Sequence, residues 1–174
     1  LGESLQFTLF GTSHGPLVGA YLDGVPKGIK IDRELIQKAM DERKPGGKYA
    51  SKRKEPDNVE TLSGISNNVT TGETIEISIK NSDVRTSDYS FLPDHPRPGH
   101  QDMVMMKRTK GEADLRGGGT SSARLTAPIV AAAAIIDPIL LDLGIKFNAH
   151  VSAVGNIQAK PINQCPEKWF NEHC

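Results

Sequence analysis

Three consecutive glycines, Gly117 to Gly119, stand between Arg116 and the run Thr120-Ser-Ser-Ala-Arg124, just ahead of the longest apolar stretch of the chain. With no Cβ over these positions, the backbone can take positive φ and approach a ligand closely. The hydroxyls of Thr120, Ser121 and Ser122 suit N-cap positions, so an apolar helix is expected to begin near Ala123. Such a helix start presents unpaired N–H groups and a partial positive charge, which favour an anion such as phosphate, and Arg116 and Arg124 bracket it with cations. The loop is not a Walker A, because no Gly-Lys-Ser/Thr follows the glycines, and it is not G-x-G-x-x-G after a strand. A plain glycine-rich turn capping a core helix explains the same residues, and both readings stand at this point.

The 174 residues are enough for one sizeable core or for half of a larger domain. Lysine and arginine number 21 against 21 aspartates and glutamates, so nothing global draws the chain to nucleic acid or to an anionic membrane. Any basic site must be local. The apolar run Ile129 to Ile136 is far short of the roughly 20 residues that a membrane span needs, and no membrane partner is expected. Cys165 and Cys174 suit free thiols in a reducing cytoplasm. No metal site is expected.

Alternation from Gln6 to Leu9 reads as a strand ending at Phe10-Gly-Thr-Ser-His-Gly-Pro16, and Val18 to Leu22 reads as its return. His14 is then held at a stiff turn between two strands. Ile31 to Arg43 reads as an amphipathic helix: Asp32 caps it, Ile31 and Ile36 form a hydrophobic staple, and Leu35, Ile36, Ala39 and Met40 share a face. A basic run follows through Arg43, Lys44, Lys48, Lys52, Arg53 and Lys54. In a neutral chain this suits a small anionic ligand, and a solvated surface loop is the alternative. Val59 to Leu62 and Thr74 to Ile79 fit a half-buried antiparallel hairpin.

Residues Asn81 to His95 read as a long loop, a length that in compact domains tends to go with function. It ends at Pro96-Arg-Pro-Gly-His100, a second stiff turn carrying a second histidine. His100 would sit at the start of a helix over Gln101 to Lys107, where the dipole disfavours imidazolium. Ala123 to Leu143 is apolar nearly all round and is expected to be buried, with a kink or break at Pro138. Gly144 is a C′ candidate, followed by a strand over Lys146 to Val154 and a tail in which Trp169 and Phe170 have no obvious partner.

Taken together, Phe10-Gly-Thr-Ser-His-Gly, Asp23-Gly-Val-Pro-Lys-Gly28, Arg43-Lys-Pro-Gly46 with Lys48, Arg53-Lys-Glu-Pro-Asp57, Leu62-Ser-Gly64, Thr70-Thr-Gly72, Asp88-Tyr89, Arg97-Pro-Gly-His100 and Gly117 to Arg124 resemble the chorismate synthase family in order and spacing. The resemblance runs from Leu1 to about Cys165-Pro166, as the N-terminal half of such a protein. It implies an α+β fold, a β-α-β sandwich with helices packed between antiparallel sheets, in one domain over 1–174. It also implies a lyase of the shikimate pathway of aromatic amino acid biosynthesis, eliminating phosphate from 5-enolpyruvylshikimate-3-phosphate with reduced FMN. NADPH enters only if the protein is bifunctional.

By resemblance, His14 and His100 are the catalytic residues, and Ser13, Thr120, Ser121, Ser122 and Ala123 contact the flavin. Arg43, Lys48, Arg97 and Arg124 bind the anionic substrate. A cytoplasmic homotetramer is implied. Thr12 stands where the family usually has Glu, Thr120 stands where it usually has Arg, and the family's second half carries an aspartate and more of the flavin cradle. A non-catalytic anion-binding or structural module of the same fold is the alternative function.

Overall fold

Valine, alanine and leucine at alternate positions of one strand face isoleucines at alternate positions of the next, and this pairing lays down the core. The computed structural model describes residues 3–45 and 55–165. Strand β1 (Gln6–Gly11) pairs antiparallel with β2 (Leu17–Asp23). After helix α1 (Arg33–Arg43) come β3 (Val59–Ser63), the short pair β4 (Ile65–Ser66) and β5 (Val69–Thr70), and β6 (Ile75–Lys80). The main sheet has the order β1-β2-β6-β3, with four strands. In the β2/β6 register Val18 faces Ile79, Ala20 faces Ile77 and Leu22 faces Ile75, and all six are essentially inaccessible to solvent. Fully burying the valine, leucine and isoleucine side chains among them is worth about 1.5–3 kcal/mol each.

Ile31, Ile36 and Met40 around α1, with Ala127, Ala131, Ala132 and Ile135 of α3 (Thr126–Asp142), are buried apolar groups that close this core. The helix expected over Ile31 to Arg43 is present with its cap: the Asp32 carboxylate accepts from the N–H groups of Glu34 and Leu35. Leu35, placed by the sequence on the inner face, is half exposed. The expected hairpin of Val59 to Leu62 with Thr74 to Ile79 forms as β3 against β6. The short α2 (Asp102–Arg108) follows His100, with Gln101 as its N-cap. The α+β class is therefore present, with one face of a four-stranded antiparallel sheet and its helices among the described residues.

Two expectations about α3 are corrected. The α-helix begins at Thr126, three positions later than Ala123 suggests, because positive φ at Gly117, Gly118 and Gly119 and a 3-10 turn over Ala123–Leu125 come first. Nor is it buried all round: Ile129 is 44% exposed. The stretch 116–142 is long and apolar enough by composition to cross a membrane. Its α-helical part, however, is 17 residues, or roughly 25 Å, and several of its side chains lie in the protein core. The helix runs on through Pro138.

Contacts divide the chain at Pro138, and the residues from Ile139 onward form a second unit. There Gly144 has φ of 73°, its N–H donates to Leu141 and that of Ile145 donates to Leu140, which closes the helix as a Schellman turn. The strand expected over Lys146 to Val154 is reduced to β7 (Ala153–Val154), paired with β8 (Ile157–Gln158) across the turn at Gly155. Trp169 and Phe170 lie outside the described residues.

Candidate active site

His14 is positioned from three directions. The β1/β2 turn carrying it is closed by Gly15 N–H to the Thr12 carbonyl. Because β2 and β6 are neighbours, Asn81, which follows β6, reaches this turn and donates to the carbonyls of Thr12 at 3.0 Å and Gly15 at 2.8 Å. Ser13 is completely buried; its Oγ donates to the Arg116 carbonyl at 3.1 Å and lies 3.1 Å from His14 Nδ1. The Ser13 N–H donates to Gly119 O at 3.3 Å, so the turn and the glycine loop are tied directly. Tyr89 meets the His14 ring edge-on with centroids 4.7 Å apart, a geometry that suits the aromatic quadrupole.

His100 reaches the same loop one residue along. A Cβ added to Gly117 would fall on Cε1 and Nδ1 of His14, whereas one added to Gly118 would lie 3.8 Å from Cε1 and Nε2 of His100. Gln101 Nε2 donates to the Gly118 carbonyl at 2.8 Å, fixing the loop against α2. On its other side His100 Nδ1 lies 2.7 Å from Oδ1 of Asp102, which is fully buried. Arg97 grips that carboxylate through Nε at 2.7 Å, Nη2 at 2.8 Å and its backbone N–H at 3.0 Å. These Arg97 hydrogen bonds hold the Asp102 carboxyl far below the usual carboxylate range against the opposing effect of burial, and Asp102 in turn raises Arg97. The nearest charge to the His100 ring is thus a carboxylate, in place of the partial positive charge expected of the helix start.

Asp57 joins two of the expected anion binders. It has φ of 53° and is 2% exposed, and its carboxylate accepts from Arg43 Nη1 at 2.9 Å and from Arg124 Nη1. Arg124 is itself buried and donates to Asn81 Oδ1 at 2.9 Å and to the Lys80 carbonyl at 3.2 Å. Arg43 also donates to Thr126 Oγ1 at 3.3 Å. A cavity of about 580 Å³ opens over this cluster, lined among others by His14, Tyr89, Gly117, Ser122, Ala123, Arg43 and Arg124, with Glu55, Asp83 and Asp88 adding acid. That volume is ordinary for a small-molecule site.

Of the residues singled out in the sequence, His14, Arg43, Arg124, Ser122 and Ala123 share this cavity. His100 does not line it: its ring lies beside Gly118, the buried neighbour of the lining residue Gly117. Thr120 and Ser121 are exposed and cap nothing; Ser122 alone caps, accepting from Arg124 N–H at the 3-10 turn. Ser13 is sealed in the interior, where it holds His14 in place of a surface contact. Arg97 stands over Tyr89 at 5.5 Å with its guanidinium turned to Asp102, a clamp in place of a cavity cation. Arg116 likewise does not bracket the loop as an open charge: Asp114 takes its Nε at 2.8 Å and Nη2 at 2.9 Å, which lowers the Asp114 carboxyl. Lys48 lies outside the described residues, as do Lys52, Arg53 and Lys54.

Sequence reasoning missed the acids and the amide that hold these groups, Asp57, Asp102, Asp114 and Asn81. Asp102 had a signal, being two residues beyond His100 and in the first turn of a helix. Asp57 had another, since it follows Pro56 and aspartate tolerates positive φ better than most residues.

Residues 5–174 match the chorismate synthase family. The chorismate synthase of Aeropyrum pernix is 44% identical over 160 residues, which cover 92% of this chain and 42% of that protein. The chorismate synthase of Campylobacter fetus subsp. fetus is 46% identical over 162 residues, covering 93% and 45%. That of Methanococcoides burtonii is 43% identical over 173 residues, covering 99% and 46%. A crystal structure of chorismate synthase shares the fold, with a TM-score of 0.64 at 24% identity over 97% of this chain and 42% of that one. The chain spans less than half the length of these relatives.

Proposed function

Since the chain belongs to the chorismate synthase family, we propose that its glycine loop and the two histidines beside it serve the 1,4-anti elimination of phosphate from 5-enolpyruvylshikimate-3-phosphate to chorismate, with reduced FMN. The observation that carries this reading is that both rings stand at one loop, His14 packed on Gly117 and His100 3.8 Å from where a Cβ of Gly118 would be. The loop fits a flat cofactor at Gly117, where main chain without a Cβ lines the cavity together with Ser122 and Ala123; Gly118 behind it is buried, with Ser122 and His100 at ordinary contact distance from where a Cβ would stand. When bound, the reduced flavin supplies electron density that helps the phosphate leave.

The chain's own residues do the rest. Arg43 and Arg124 bind phosphate or carboxylate oxygens, and Lys48 joins them by family resemblance. Asp57 keeps both guanidinium groups in place before a ligand arrives, so little reorganisation is needed on binding. His14, held through Nδ1 by Ser13 and edge-on by Tyr89, donates a proton toward the departing phosphate. His100 exchanges a proton with the cofactor side of the site. A drier pocket strengthens each of these interactions. A cytoplasmic homotetramer belongs to the same reading, and NADPH only to a bifunctional protein.

The test is an anaerobic titration of reduced FMN into the chain with 5-enolpyruvylshikimate-3-phosphate present, followed by flavin absorbance. Saturable binding is expected, abolished by Ala123→Trp, which puts an indole into the cavity from an exposed position of its wall. No binding by a chain with an unperturbed fold contradicts the reading.

A further inference from the structure

His100 makes two different contacts with its two ring nitrogens, and the difference sets its chemistry. Nδ1 meets the buried carboxylate of Asp102 at 2.7 Å, while the Cε1–Nε2 edge is the part of the half-buried ring turned toward Gly118 of the glycine loop. Asp102 accepts at both oxygens, from Arg97 Nε and backbone N–H at one and from Arg97 Nη2 at the other. A carboxylate paired in this way has only acceptor capacity toward the imidazole. The ring must therefore present N–H at Nδ1, since two acceptors facing each other at that distance repel.

We propose that Asp102 is a positioning residue for His100, fixing a proton on Nδ1 so that Nε2 is the atom that exchanges a proton with whatever occupies the glycine loop. The balance is simple. A proton accepted at Nε2 makes the ring a cation against the Asp102 anion, and its return leaves a neutral ring with Nδ1–H still donated to Asp102. Arg97 acts one step further out, orienting the carboxylate through a guanidinium that also lies over Tyr89. The identity of the partner at Nε2 rests on the function proposed above; the tautomer does not.

The experiment is a long-range proton–nitrogen correlation spectrum of the 15N-histidine-labelled chain, at a pH where the His100 ring is neutral. The expected result is a protonated Nδ1 and an unprotonated Nε2. In Asp102→Asn the amide oxygen stays with Arg97 Nε and backbone N–H, so the amide N–H2 faces Nδ1 and the two nitrogen shifts should exchange. A wild-type ring protonated at Nε2 overturns the proposal, and so does a folded Asp102→Asn chain that keeps Nδ1–H. If that variant does not fold, the wild-type spectrum decides by itself. Neither readout uses flavin or substrate, so a failed tautomer assignment and a failed binding titration are separable.

Discussion

Gly117 lies against the imidazole of His14 so closely that no side chain fits between them: a Cβ there would overlap the ring at Cε1 and Nδ1 and sit 2.7 Å from Ser13 Oγ. The glycine also has φ of 60°. The loop and the histidine turn are therefore one mechanical unit, and several outcomes follow from how it is held.

Gly117→Ala should displace the His14 ring. Left-handed backbone at alanine costs roughly 1–2 kcal/mol before the overlap is counted. Urea denaturation should show at least that loss, and the His14 ring resonances should move. A variant with wild-type stability and unshifted His14 signals would mean that the contact does not exist.

Asp57→Asn should be among the most destabilising substitutions in the chain. Its carboxylate is shared by Arg43 and by buried Arg124, and removing one partner of a buried ion pair costs about 3–5 kcal/mol. Lys80→Gln, which touches only the exposed pair with Glu60, should change stability by about 1 kcal/mol or less. Equal effects of the two substitutions in chemical denaturation would contradict this ordering.

Acid should weaken the His100 side of the site through Asp102. Its folded-state value lies below the ordinary 3.8, so the unfolded chain takes up this proton first as the pH falls. The stabilisation is complete above about pH 4 and is lost on acidification through the folded-state value. Stability measured from pH 6 down to pH 2 should fall less steeply in Asp102→Asn than in the wild type. An unchanged slope would show that the Arg97 pair is not formed.

Tyr89 should act through its ring. Tyr89→Phe retains the edge-on contact with His14, whereas Tyr89→Leu loses it together with the Arg97 contact, at about 0.5–1.5 kcal/mol beyond the change in buried area. The His14 ring protons should lose their ring-current shift only in the leucine variant.

Much of the fold was legible because it rests on local signals. The period-two pattern of Ile75, Ile77 and Ile79 and the Asp32 cap each specify their element without help from distant residues. The two histidine turns were legible for the same reason, being stiffened by their own glycines and prolines. What the sequence did not carry was which acid each cation meets, whether near in the chain, as Asp114 is to Arg116 and Asp102 to Arg97, or far, as Asp57 is from Arg124. That Arg116 belongs to Asp114, Arg97 to Asp102 and Arg124 to Asp57 depends on three-dimensional placement, so cations that read as ligand binders were in part clamps. The late start of α3 has a similar origin, because serine and threonine suit both a helix cap and the extended residue before a 3-10 turn.

The shared site is tested most directly by following the side-chain resonances of His14 and His100 in one sample as reduced FMN and 5-enolpyruvylshikimate-3-phosphate are added. Both rings should shift along a single saturation curve, and neither should shift in Ala123→Trp, whose indole fills the cavity. Movement of only one ring, or two curves with different midpoints, would mean that the histidines do not serve a common ligand.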